Sequence, residues 1–120
     1  MPVSVEVLYS KIHRAVVTDA NLNYQGSITI GKSLAQAAHL HPWMKVDVLN
    51  VNNGARFTTY VIVGEQEGTI CVNGAASRLV QVGDVVIIVA YSLMGLEQVC
   101  QHQPFIVFVG DNNQIKENDV

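Results

Sequence analysis

Lys45-Val46-Asp47-Val48-Leu49-Asn50-Val51-Asn52-Asn53-Gly54-Ala55-Arg56-Phe57-Thr58-Thr59-Tyr60-Val61-Ile62-Val63 holds two runs of β-branched and apolar residues that meet at an Asn-Gly pair. β-Branched residues favour a pleated strand, and Asn-Gly accommodates the positive φ angles of a tight turn. The stretch predicts a β-hairpin with strands over 45–52 and 55–63, each carrying apolar residues on both faces. Toward the N-terminus, residues 3–18 read as one long strand bent near Tyr9-Ser10, and 19–24 as a turn. A short strand follows at 27–30. Residues 32–40 read as a helix with Leu34, Ala37, Ala38 and Leu40 at helical spacing, ended by Pro42. Toward the C-terminus come a strand at 69–72, a short helix at 73–79, and a continuously apolar strand at 85–91. A helical stretch at 93–101 and a last strand at 105–109 follow, and the polar tail after Gly110 is expected to fray. Many short strands with a few short helices imply a mainly β chain rolled into a small barrel with little open edge.

The 120 residues contain no linker, repeat or low-complexity tract, so a single domain over 1–120 is expected. Only 14% of residues are charged, against about 25% in an average globular chain. So little ionic surface predicts a homo-oligomer in which apolar surface meets another subunit. With 7 Lys+Arg against 10 Asp+Glu and no basic run, nucleic acid is not an expected partner. Met1-Pro2-Val3-Ser4-Val5-Glu6 lacks the basic and apolar regions of a signal peptide, so a cytoplasmic location is expected. The apolar run at 85–91 falls far short of the roughly 20 residues of a membrane span. Cys71 and Cys100 form no CxxC pattern and read as small core residues. His39 and His41 stand two apart without a third ligand nearby, so no metal site is expected.

Three places hold polar residues that could do chemistry: Lys11-Ile12-His13-Arg14, Tyr24-Gln25-Gly26-Ser27 and Arg56-Phe57-Thr58-Thr59-Tyr60. Taken singly, each has an ordinary structural explanation. Gly-Ser is a common turn pair, Lys and Arg reach for water along apolar stems, and a strand Tyr packs.

Together with their surroundings they resemble the pyruvoyl-dependent aspartate decarboxylase family. The likeness is carried by Ser10-Lys11-Ile12-His13-Arg14, Asp19-Ala20-Asn21-Leu22-Asn23-Tyr24-Gln25-Gly26-Ser27, Val46-Asp47-Val48, Asn53-Gly54 and Arg56-Phe57-Thr58-Thr59-Tyr60. Val72-Asn73-Gly74-Ala75-Ala76, Val82-Gly83-Asp84-Val85-Val86-Ile87-Ile88 and Gly110-Asp111-Asn112 continue it, in order, to near the end of the chain. The resemblance implies a double-psi β-barrel assembled as a homotetramer, active on L-aspartate to give β-alanine for pantothenate synthesis. It also implies autocatalytic cleavage at Gly26-Ser27 into pieces 1–26 and 27–120. Ser27 would become a covalent pyruvoyl group, the ketone on which the substrate amine forms a Schiff base and which takes up the electrons left by carbon dioxide.

A serine can attack the carbonyl before it when strain and an oxyanion hole offset the uphill acyl shift. Gly26 is expected to grant backbone angles closed to other residues there. The resemblance further implies that Thr59, Asn73 and Tyr24 support processing and that Tyr60 returns a proton to the substrate. Arg56 would hold one of its carboxylates and Lys11 would hold the other or compensate charge nearby, with Thr59, Gly74, Ala75 and Ala76 also contacting the substrate and His13 and Ile87 lining the site. The His39-Leu40-His41-Pro42-Trp43-Met44 segment departs from a loop that is often acidic in the family. Two other readings stand beside this one: a non-catalytic double-psi barrel serving as an interaction module, and a pyruvoyl enzyme for a different amino acid.

Overall fold

The expected hairpin is present and lies in the middle of a single nine-stranded sheet. A computed structural model describes residues 2–116. Its strands are β1 (Ser4–Val16), β2 (Asp19–Asn21), β3 (Ser27–Gly31), β4 (Lys45–Asn50), β5 (Arg56–Gly64), β6 (Ile70–Asn73), β7 (Val85–Gly95), β8 (Phe105–Val109) and β9 (Ile115–Lys116). One short helix, α1 (Lys32–Ala37), and 3-10 turns at Gly74–Leu79, Leu96–Gln101 and Asp111–Asn113 complete the chain.

The strands run in the order β2-β6-β3-β5-β4-β7-β1-β8-β9. Residues 17 and 18 carry the chain from β1, near one end of that order, to β2 at the other, which rolls the sheet into a barrel. Val17 and Thr18 lock the seam with backbone bonds to Asp84, Gly83 and Ile70 of 2.8–2.9 Å. β1 with β8, β2 with β6 and β3 with β5 are parallel within an otherwise antiparallel sheet. Parallel neighbours require crossover connections, and this interlocked wiring agrees with a double-psi barrel.

Strand alternation sets what fills the barrel. Ile12, Ile28, Ile30, Val46, Val48, Val61, Ile70, Val72, Val86 and Ile88 all point inward and are at most 1% exposed. These branched side chains occupy the interior, with Ser10, Asn50 and Thr59 the polar residues that share their face, and most other polar members of the same strands face outward. Chemistry on this fold therefore belongs to the outer wall.

The long first strand bends where expected: its register against β7 slips between Leu8 and Ser10 and again between His13 and Ala15. Tyr9 and Arg14 are the bulged residues, and Arg14 takes φ +71°.

Other elements differ from the sequence expectation for identifiable reasons. Asp19–Asn21 is a strand, since pairing with Cys71, Val72 and Asn73 overrides its weak local preference. The helix stops at Ala37 and the chain turns at His39, whose φ is +56°, ahead of Pro42. At the hairpin only Gly54 has positive φ. The connection is a longer loop pinned by side chains, with Asn50 Oδ1 accepting from Asn52 N at 2.9 Å and Asn53 Oδ1 from Ala55 N at 2.8 Å. β7 runs to Gly95 because Ser4 to Leu8 pair with it, which leaves helical turn only from Leu96 onward. Cys71 is half-buried and Cys100 exposed, so neither is a core residue. Cys71 alternates with the inward Ile70 and Val72 and so faces out.

The tail is ordered through residue 116, which corrects the expectation of fraying from Gly110; residues 117–120 lie outside the described residues. Asn113 anchors it. Its Oδ1 accepts from Val16 N at 2.7 Å, and its Nδ2 donates to the Val16 and Gly68 carbonyls at 2.8 and 2.9 Å. Asn113→Ala strips partners from three backbone groups near the seam, and stability should fall by about 2–4 kcal/mol. Chemical denaturation of both proteins checks this, and a loss under about 0.5 kcal/mol would show the anchor to be idle.

Candidate active site

Ser27 opens β3, and its side chain points away from the core because Ile28 and Ile30 occupy the inward positions. It is nonetheless fully buried. Its hydroxyl donates to the Gln25 carbonyl at 3.2 Å and accepts from Asn73 Nδ2 at 3.0 Å. Asn73 is the cross-strand partner of Ser27 on β6 and is itself buried. A donor aimed at the hydroxyl oxygen fixes its orientation and polarises the O–H bond toward release of the proton.

The glycine whose conformation the site depends on is Gly74. It has φ +73°, and a Cβ there would stand 2.6 Å from Gly26 Cα and 2.8 Å from Gly26 N. Gly26 does not have a positive φ, and a Cβ on it would meet nothing within 4 Å. The expectation that Gly26 needs backbone angles closed to other residues is thus corrected: the steric requirement lies on the residue packed against it. Tyr24, Thr29, Cys71 and Asn73 line a cavity of about 730 Å³ that also touches Asp19 and Glu67. Ala75 and Ala76 follow Gly74 in its 3-10 turn.

β5 supplies Thr59 and Tyr60 at the same end. Ile28 pairs with Val61 in the parallel register, and Tyr60 precedes Val61 as Ser27 precedes Ile28, so alternation puts both on the outward face. The Tyr60 ring stacks on Trp43 with centroids 5.7 Å apart and 24° between planes. Trp43 is 75% exposed and holds φ +77°. Thr59 alternates onto the inward face with Val61, and the hydrogen bonds around Ser27 do not include it.

The remaining predicted residues form a second group. Arg56, Leu49, Ile87 and His13 are successive partners across β5, β4, β7 and β1. Lys11 stands two residues from His13 on the same face. Arg56 lies four residues from Tyr60, about 13 Å along the strand. Its guanidinium is 3.4 Å from Asp47 Oδ2 and 3.2 Å from the Tyr91 hydroxyl, while Thr58 Oγ1 donates to Asp47 at 2.6 Å. The His13 imidazole is held below its ordinary pKa by burial, with Lys11 and Arg14 adding repulsion, and its Nδ1 has no hydrogen-bond partner. One chain therefore brings Tyr24, Ser27, Tyr60, Asn73 and Gly74 together and leaves Lys11, His13, Arg56 and Ile87 on a separate stretch of wall.

Sequence reading did not single out Thr29, Cys71, Asp47, Tyr91 or the Trp43 stack. Thr29 and Cys71 stand two residues from Ser27 and Asn73, so strand alternation alone places each on a known face. Among the described residues no cluster of three or more His, Cys, Asp or Glu could hold a metal ion, and no helix is long and apolar enough to cross a membrane.

Fold and site together define a class: a β-barrel packed with aliphatic side chains that keeps its reactive groups on the outer wall, around a buried serine following glycine. Residues 3–116 match the family model described as aspartate decarboxylase. The chain is 59% identical over 112 residues to the aspartate 1-decarboxylase of Helicobacter acinonychis (strain Sheeba), covering 93% of this chain and 97% of that one. It is 63% identical over 112 residues to the aspartate 1-decarboxylase of Caldicellulosiruptor saccharolyticus, covering 92% and 88%. The chain belongs to the aspartate decarboxylase family.

Proposed function

We propose that this chain is the precursor of a pyruvoyl-dependent decarboxylase that cuts itself between Gly26 and Ser27 and then converts L-aspartate to β-alanine and carbon dioxide, feeding pantothenate and coenzyme A synthesis in the cytoplasm. The observation that carries the reading is the Ser27 hydroxyl, buried directly after Gly26 and held between Asn73 Nδ2 and the Gln25 carbonyl.

In the cut, Ser27 Oγ bonds to the Gly26 carbonyl carbon, the Gly26–Ser27 C–N bond breaks, and the hydroxyl proton ends on the freed nitrogen. The resulting ester loses the Cα proton of residue 27 and breaks its Cβ–O bond, releasing Gly26 as a carboxylate. Water then replaces the nitrogen of the dehydroalanine left behind, and ammonia departs. The pieces are 1–26 and 27–120, the second beginning with a ketone.

The surroundings fit such a group, because Asn73 is a buried donor already aimed at the atoms of residue 27. A ketone there supplies an electron sink for the α-carbon of a bound amino acid. Tyr60, on the same outward face as residue 27 and backed by Trp43, would return a proton to that carbon. The forked guanidinium of Arg56 suits a carboxylate, which would take over from Asp47. Lys11 is the second cation for a dicarboxylate, with His13 and Ile87 lining its stretch of wall. Because the two groups stand apart in one chain, the complete site needs a second copy. Tyr91, Leu93, Leu96, Phe105 and Ile106 expose apolar surface for it, in keeping with a homotetramer.

Intact-mass measurement of protein warmed until change stops tests the reading. Two pieces split at 26/27 are expected, the larger lighter by one ammonia than hydrolysis alone would leave it, and the cut protein should form β-alanine from L-aspartate. A single 120-residue mass would overturn it.

A further inference from the structure

Four side chains form a square on the outward face where β3 pairs with β6. Ser27 stands opposite Asn73 and Thr29 opposite Cys71, and alternate residues of a strand share a face. Asn73 contacts the other three. Its Nδ2 donates to Ser27 Oγ at 3.0 Å and to Thr29 Oγ1 at 3.1 Å, and its Oδ1 accepts the Cys71 thiol proton, with Sγ at 3.2 Å.

A side-chain amide has two ends of nearly equal shape and opposite hydrogen-bonding sense. Turned over, Asn73 would present a carbonyl oxygen to Ser27. It would then compete with the Gln25 carbonyl for the hydroxyl proton and donate nothing to Oγ. The hydroxyls of Ser27 and Thr29 can each donate or accept, so neither selects an orientation. The thiol of Cys71 donates more readily to oxygen than its sulfur accepts from nitrogen, so it favours Oδ1 on its side.

We infer that Cys71 is a positioning residue for the self-cleavage: by donating its S–H to Asn73 Oδ1 it keeps the amide N–H aimed at Ser27 Oγ. This rests on Gly26-Ser27 being the bond that is cut. Burial, reinforced by the Asp19 carboxylate on β2, pushes the Cys71 thiol up from its ordinary value. The proton that the contact requires is therefore present at neutral pH.

The test follows cleavage by intact mass in precursor from cell-free synthesis, with thermal midpoints recorded for each variant. Cys71→Ser retains a donor and should cut within about threefold of the wild-type rate. Cys71→Ala and Cys71→Val lack one and should be slower by about tenfold, the effect of losing one modest hydrogen bond at the reacting group. A wild-type rate in either folded donor-less variant overturns the inference, and so does Cys71→Ser as slow as Cys71→Ala. A wild-type chain that never cuts at 26/27 would instead remove the underlying reading, so the two failures are distinguishable.

Discussion

Ser27→Ala should remain one 120-residue chain under conditions in which the wild type is fully cut, and should form no β-alanine. The substitution deletes the oxygen that bonds to the Gly26 carbonyl carbon in the proposed cut, so the effect is complete loss. The fold should survive, since Asn73 Nδ2 keeps its bond to Thr29 and one hydrogen bond at this position is worth about 1 kcal/mol. Mass spectrometry paired with a denaturation curve reads both consequences. Cleavage at 26/27 in this variant would mean that a protease, not the chain, does the cutting.

Gly74→Ala should be nearly as damaging although residue 74 takes no part in bond making. Its left-handed backbone costs a side-chain-bearing residue about 1–2 kcal/mol. The added Cβ would also meet backbone atoms of Gly26 at 2.6 and 2.8 Å, which no rotamer change can relieve. The segment carrying the Gly26 carbonyl must shift, and a displacement near 1 Å at a reacting centre costs about 10²-fold in rate. Cleavage should therefore slow by about that factor. Gly26→Ala, with open space around its Cβ, should keep its stability within about 0.5 kcal/mol. Equal cleavage rates for Gly74→Ala and the wild type would show that the segment adapts without consequence.

What could be read from the sequence divides along a physical line. Local patterns were enough for the hairpin, the bend at Tyr9 and the barrel class, because β-branched runs, Asn-Gly and strand alternation act over a few residues. They were not enough for Asp19–Asn21, whose strand character comes from β6, or for Asn113, whose side chain supplies bonds to Val16 and Gly68. At the site, Ser27, Tyr60 and Asn73 are named through family resemblance, and the structure joins Ser27 to Asn73 by a hydrogen bond. The location of the steric requirement escaped, because Gly26 stands in the motif while the crowding belongs to Gly74, far along the chain. Thr29 and Cys71 escaped for a similar reason: each looks ordinary until the β3–β6 register places it beside Asn73.

Strand β1, paired with β7 from Ser4 to Val16 and flanked by β8, lies wholly on the N-terminal side of Ser27. The proposed cut would make one of the barrel's main staves a separate peptide held by noncovalent bonds alone. Before the cut, folding of a single barrel is unimolecular; afterwards, recovery of even one barrel would be an encounter between two molecules and would depend on their concentration. The donor at Ser27 comes from Asn73, 46 positions away, so the bond can be prepared for breaking only in a chain that has already found its fold. The proposed maturation would thus work as a ratchet, admitting only folded molecules and then removing the covalent path by which they could easily fold again.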